Sequence, residues 1–250
     1  MSEVKCGVYV IIGGSGGIGS ATARRLAVAG RPVLIAGRDP ARLQATAAET
    51  GAEARELDAR DPAAVEALLS QAVASHGRLE GIVNCAGSIL LKPAHLVTDT
   101  EFAETLATNL TTAFHTIRSA TRILMRQTGG GSIVLCSSVA ARRGLPNHEA
   151  ISAAKAGVEG LALAAAASYA RQGVRVNCVA PGLTRTGLTQ SLVQNEAVLK
   201  ASAAMHPLGR IGEADEVASA IAWLLHPDQS WVTGQVIGVD GGLGQVQSRG

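Results

Sequence analysis

The stretch that most limits how this chain can fold lies near its start. Val8 to Ile12 is a short apolar run that leads straight into Gly13-Gly14-Ser15-Gly16-Gly17-Ile18-Gly19, and Ala21, Ala23, Leu26 and Ala27 then recur at helical spacing. This reads as strand, glycine turn, helix. Backbone N–H groups at a helix N-terminus can hold a pyrophosphate only where no Cβ blocks its approach. Gly13, Ser15, Gly16, Gly17, Ile18 and Gly19 are therefore candidate nucleotide-binding residues, and their place directly after a first strand strengthens that reading.

The same alternation continues along the chain. Further strands are expected at Pro32–Ala36, Ala52–Leu57, Leu79–Val83, Gly131–Cys136, Val174–Val179 and Gln235–Val239. Helices are expected at Pro40–Thr50, Ala63–Ser75, Thr100–Arg126, around Lys155, and at Glu213–Leu225. The segment from about 183 to 210, with helical residues from Gly187 to Met205, is expected to be a mobile loop over a substrate pocket. Strands and helices alternating at this spacing imply an α/β fold: a Rossmann-type, doubly wound, seven-stranded parallel sheet with right-handed crossovers and helices on both faces. No linker or repeat divides the chain, so residues 1–250 are read as one domain. Only six residues are aromatic, so the core must be packed from Ala, Val, Leu and Ile, as suits buried parallel strands.

Ligands of such a sheet bind outside the carboxyl ends of the strands. Gly37 and Arg38 follow the second strand, where an acidic residue would accept hydrogen bonds from the adenosine ribose and repel a 2′-phosphate. Arginine presents a fork suited to phosphate, so NADP(H) is favoured over NAD(H). Asp58 falls where a side chain would meet the adenine edge, and Asn84-Cys85-Ala86-Gly87 offers small residues at the end of the fourth strand.

A formal charge of +2 from scattered residues gives no basic stripe for nucleic acid. No uninterrupted apolar run reaches about 18 residues and the N-terminus lacks the form of a signal peptide, so no membrane partner and a cytoplasmic location are expected. The six histidines show no paired ligand spacing, and no metal is expected. Cys6, Cys85, Cys136 and Cys178 form no CxxC; Cys85 and Cys136 are placed at the ends of neighbouring strands, but all are read as buried thiols acting as small hydrophobes, without a functional disulfide.

Taken jointly and in order, the glycine turn, Asp58, Asn84 to Gly87, Asn109, Ser138, Lys155, Pro181-Gly182 with Thr184 and Thr186, Val232-Thr233-Gly234-Gln235 and Asp240-Gly241-Gly242 resemble the short-chain dehydrogenases/reductases over essentially the whole chain. The resemblance implies that Ser138 hydrogen-bonds the substrate oxygen and that Lys155 binds the nicotinamide ribose. It also implies that Asn109 positions a water feeding protons toward Lys155. Asn84, Ala86, Gly87, Pro181, Gly182, Thr184 and Thr186 would line the cofactor, with Thr186 holding the carboxamide. A small-molecule substrate and a homotetramer or homodimer are implied as well.

Three positions depart from the family pattern. Ile12 stands for a threonine and Cys85 for a second asparagine. The third is Ile151, which lies 13 residues after Ser138 and four before Lys155, where the family keeps its catalytic tyrosine. Isoleucine can neither give nor take a proton, and general acid–base help is worth about 10² to 10⁴ in rate. Of the two tyrosines, Tyr9 belongs to the first strand and Tyr169 lies about 21 Å along the helix from Lys155 at 1.5 Å per residue, so neither is expected to reach. His148, seven residues before Lys155, has the spacing at which the related enoyl reductases place their tyrosine, and is a candidate proton donor. Two readings stay open: an oxidoreductase acting on a carbonyl, alcohol or activated C=C bond with weakened or rerouted proton delivery, and a catalytically silent NADP(H) sensor or partner subunit.

Overall fold

A computed structural model describes residues 7–247. The chain opens with β1 (Val8–Ile12), whose five side chains are all buried, and turns through the glycines into α1 (Gly17–Val28). Next come β2 (Val33–Gly37), α2 (Pro40–Thr50), β3 (Glu53–Glu56), α3 (Pro62–His76) and β4 (Leu79–Asn84). Both α2 and α3 begin at an Asp-Pro pair: Asp39 accepts the Arg42 N–H and Asp61 the Ala63 N–H, while the proline occupies the first turn, where no N–H is needed.

The long helix expected over 100–126 is not continuous. Thr98 and Glu101 form a capping box for α4 (Asp99–Leu106), a single π turn covers Ala107–Thr111, and α5 (Thr112–Leu124) completes the rod. A π turn carries one extra residue past the helical register, which no hydrophobic pattern announces, and it falls on Asn109. Then follow β5 (Gly131–Cys136), α6 (Glu149–Tyr169), β6 (Val174–Pro181) and β7 (Thr184–Arg185). The segment after β7 is a short turn, α7 (Gln190–Gln194) and α8 (Glu196–Met205), split by Asn195, which caps α8 through the Val198 N–H. The last elements are β8 (Gly212–Glu213), α9 (Ala214–Leu225) and β9 (Val236–Val239).

Seven strands form one sheet in the order β3-β2-β1-β4-β5-β6-β9, every neighbouring pair parallel. One core lies between the sheet and α3, α5 and α6, built from residues such as Val10, Leu69, Ile82, Leu124 and Val158. The other, including Ile11, Leu26, Ile35, Val134 and Ile221, lies under α1 and α9. By length and apolarity α6 and its extension to Gln172 pass for a membrane-crossing segment, but Ala150, Ile151, Ala154, Val158 and Ala162 bury that face against the sheet side. The strand order reverses between β1 and β4, which opens a crevice at their carboxyl ends.

Candidate active site

A cleft of about 480 Å³ fills that crevice. Of the residues singled out from the sequence, Gly13, Ser15, Gly16, Gly17, Ile18, Gly19, Arg38, Asp58, Ala86, Gly87 and Thr186 line it. The glycine turn is held from below, where the N–H groups of Gly13 and Gly14 both donate to Ala36 O at 2.7 and 3.1 Å. Gly13 has φ +77°, and a Cβ there would stand 2.7 Å from Ala86 N. At Gly17 a Cβ would strike Thr186 Cγ2 at 2.7 Å, so the loop after β6 can close on the first turn of α1 only because that residue has no side chain. This first turn carries N–H groups that the helix itself cannot satisfy. The chemistry of the cradle fits a diphosphate.

The far end of the cleft is basic. Gly37 leaves room beside Ser15, since a Cβ on it would lie 3.4 Å from Ser15 Oγ. Arg38 lines the space, and Arg42, one turn along α2, donates through Nη2 to Ser15 O at 2.9 Å. Arg42, in the first turn of α2 and four residues after Arg38, is marked by no sequence pattern of its own. Asp58 is tied to a second unforeseen cation. Arg60 grips both carboxylate oxygens at 2.6 to 3.0 Å, which lowers the Asp58 pKa from 3.8 to about 2.

Asn84 does not face the cleft with its side chain. Its amide donates to Thr116 Oγ1 at 3.0 Å and its oxygen accepts from Ala86 N at 2.8 Å, so it ties α5 to the loop that walls the site. Asn109, on the π turn, is likewise buried: Nδ2 donates to Ser88 Oγ and Thr105 O, and Oδ1 accepts from Ser88 N at 3.2 Å. Gly182 and Thr184 also serve the backbone, Gly182 N–H donating to Val239 O and Thr184 Oγ1 to Gly182 O. Thr184 is buried and Pro181 ends β6.

Lys155 sits on α6 with 7% of its surface exposed, and Nζ donates to Cys136 O at 2.8 Å. Desolvation lowers its pKa. A Cβ on Gly87 would lie 2.9 Å from Asn109 Oδ1 and 3.5 Å from Lys155 Nζ, so the amide and the ammonium flank that glycine. Ser138, two residues past β5, caps the short turn that follows, Oγ accepting from Ala140 N at 3.2 Å. Ile151, four residues before Lys155 on α6, is 5% exposed and apolar throughout. His148 is the N-cap of α6; its Nδ1 contacts Pro146 O at 2.7 Å, and seven residues of helix, about 10 Å of rise, separate it from Lys155. Tyr9 is buried in β1 and Tyr169 ends α6. Among the described residues no cluster of His, Cys, Asp or Glu is arranged to hold a metal.

A family model described as enoyl-(acyl carrier protein) reductase matches residues 13–244. The chain belongs to the short-chain dehydrogenases/reductases. It is 38% identical to a cis-4-hydroxycyclohexanecarboxylate dehydrogenase of Sinomonas cyclohexanicum, covering 96% of this chain and 97% of that protein. It is 35% identical to a levodione reductase of Leifsonia aquatica, covering 94% and 93%. Among solved structures, an actinorhodin polyketide ketoreductase variant with NADPH superposes with a TM-score of 0.92 at 30% identity, over 98% of this chain and all of that one. Family membership makes the chain an oxidoreductase of a family that binds a nicotinamide cofactor.

Proposed function

We propose that the chain binds NADP(H) and transfers hydride between that cofactor and a carbonyl, an alcohol or an activated C=C bond, without a phenol as proton donor. The observation that carries the cofactor choice is the pair Arg38 and Arg42 at the end of β2, set around Ser15 and the side-chain-free Gly37. Two guanidinium groups beside a hydroxyl suit a 2′-phosphate dianion; of the carboxylates lining the same cleft, Asp39 caps α2 and Asp58 is gripped by Arg60. The relatives support the class: their names describe reductases and dehydrogenases, and one structural neighbour holds NADPH.

The cofactor supplies the hydride. The residues of this chain would bind and orient it: the glycine turn and α1 at the diphosphate, Arg38 and Arg42 at the adenosine end, Asp58 at the adenine edge, Lys155 at the ribose next to the nicotinamide, and Thr186 over the glycine turn. Ser138 would hold the substrate oxygen. Ile151 stands in the family's tyrosine place and presents only hydrocarbon. With orientation intact and acid–base help missing, the rate falls by the acid–base factor alone. A homotetramer packed through α4, α5 and α6 is part of the proposal, supported by the exposed apolar side chains Phe102, Phe114 and Leu163 on those helices.

Ile151 also favours a second reading, in which the chain binds NADP(H) and catalyses nothing. One paired measurement separates the two. NADPH affinity is titrated, and NADPH oxidation is followed on a carbonyl panel for the wild type and His148→Ala. Slow wild-type turnover supports the first reading and zero turnover with tight binding supports the second; unchanged turnover in His148→Ala removes His148 as donor. Failure to bind either dinucleotide defeats both.

A further inference from the structure

Two thiols meet beside the cleft. Cys136 is the last residue of β5, and Cys85 follows directly on Asn84, which pairs with Leu135, so the two cysteines stand opposite each other at neighbouring strand ends. Both pack against the same core, the one under α1 and α9, and their sulfurs lie 3.5 Å apart. Cys85 lines the cleft, and neither cysteine is fully buried. Cys178 is different: it is buried in the core on the opposite face of the sheet.

We infer that Cys85 and Cys136 are an oxidation site, converted by a peroxide into a disulfide that loosens the hold of the cleft on its dinucleotide. The chemistry balances without any further reagent. The Cys136 thiolate attacks one peroxide oxygen, the S–O bond forms as the O–O bond breaks, and hydroxide leaves as water after taking a proton. The Cys85 sulfur then attacks the Cys136 sulfur; the S–S bond forms, the S–O bond breaks, and the second water carries away the Cys85 proton. Two thiols and one peroxide give one disulfide and two waters, the thiols losing the two electrons the peroxide gains.

The order of events follows from the surroundings. A hydrogen bond from Cys85 and, after it, the charge of Lys155 pull the Cys136 thiol below its ordinary pKa, against the opposing effect of burial. The same pairing with Cys136, together with burial, holds Cys85 above its own. Thiolate character decides which sulfur meets the oxidant first.

Closing the sulfurs from 3.5 Å to a bond of about 2.05 Å ties together two backbone segments that the cleft depends on. The Cys85 N–H donates to Ile12 O at 2.8 Å, and its carbonyl carbon lies 2.7 Å from where a Cβ on Gly13 would stand. Cys136 O is the acceptor that fixes Lys155 Nζ. The bridge thus tugs at the glycine turn on one side and at the lysine on the other. The bridge stands on geometry alone; its effect on binding rests on the reading of the cleft as an NADP(H) site.

The test treats the full chain with hydrogen peroxide, then maps peptides by mass and titrates NADPH before and after. The expected result is a Cys85–Cys136 peptide pair lighter by two hydrogens, absent in Cys85→Ser and in Cys136→Ser but kept in Cys178→Ser. NADPH affinity should fall at least about tenfold and return with dithiothreitol. Linkage adds a second readout: if the bridged form binds NADPH tenfold more weakly, saturating NADPH raises the midpoint potential of the pair by about 30 mV. Sulfinic acid without a bridge, or a bridge to Cys6 or Cys178, overturns the site. A mapped bridge with unchanged NADPH affinity overturns its effect. If the reduced protein takes up no NADPH at all, the reading of the cleft falls and the effect on binding falls with it, while the mapped bridge stands on its mass.

Discussion

The cleft at the glycine turn and the cluster around Lys155, which lies behind the cleft-lining Gly87, are made of opposite material. The first is a rigid backbone cradle edged with charge: Gly13 and Gly14 pinned to Ala36, Arg42 pinned to Ser15, Arg60 locked onto Asp58. Its residues come from the ends of β1, β2 and β3 and from the turns and first helical turns directly after them, so a few local rules build it. The second is assembled from three distant segments, β4, the π turn and α6, and its functional atoms are buried: Asn109 is spent on Ser88 and Thr105, Lys155 on Cys136 O, and Ile151 offers nothing. Binding and chemistry are separable in such a site. On the proposed function, the residues that would hold a dinucleotide are present, and the proton-transfer group is what a side chain such as Ile151 does not supply.

Restoring that group should give the largest effect. Ile151→Tyr is expected to raise turnover on a responsive carbonyl by about 10² to 10⁴ with little change in NADPH affinity, the size of general acid–base help. Steady-state kinetics beside a binding titration checks it; a variant that binds NADPH normally and gains no turnover would break the contrast between the two regions.

Next comes the charged corner. Removing Arg42 or Arg38 deletes a charge-assisted contact worth about 1.5 to 3 kcal/mol, so Arg42→Ala should weaken NADPH about 10- to 100-fold and leave NADH nearly unchanged. Equal losses for the two cofactors would mean that Arg42 serves only to brace Ser15.

Lys155 gives a pH signature. Because burial depresses its pKa, the unfolded chain holds more protons than the folded one between that lowered value and 10.5, and stability must rise with pH through this window. Lys155→Met should flatten the rise seen in denaturant titrations over alkaline pH, and weaken NADPH as well. An unaltered pH profile would show that the ammonium is not desolvated in solution.

The smallest effect concerns Asp58. In Arg60→Ala its titration, followed by carboxylate NMR, should move from about 2 back toward 3.8. The stabilisation tied to this pair is present above 3.8 and fades as pH falls toward 2; with both side chains 40% or more exposed, solvent screening keeps it small.

The legible parts were those encoded by neighbours in the chain. The strand, turn and helix at Val8–Val28, the helix over Pro40–Thr50 and the parallel character of the sheet all follow from short patterns. Arg38 could be placed from the end of β2, while Arg42 and Arg60 escaped notice because an exposed arginine looks the same in sequence whether it meets water or a ligand. The π turn escaped too, since one extra residue within Thr100–Arg126 leaves the apolar spacing of α4 and α5 intact on either side. Asn84 was expected to face the cofactor, but its amide is drawn to Thr112 and Thr116 on α5, partners 28 and 32 residues away.

The sequence by itself determined that a glycine turn and a helix start follow the first strand, that Gly37 and Arg38 rather than a carboxylate follow the second, and that no tyrosine precedes Lys155 by four residues. Each of these is a statement about residue types at fixed short spacing. Tertiary structure alone decided that Arg42 joins Arg38, that Lys155 is paired with Cys136 O, and that the sulfurs of Cys85 and Cys136, 51 residues apart in the chain, stand 3.5 Å apart. Such meetings depend on strand register and on which face of the sheet a side chain takes, and those are fixed only when the strands and helices pack together.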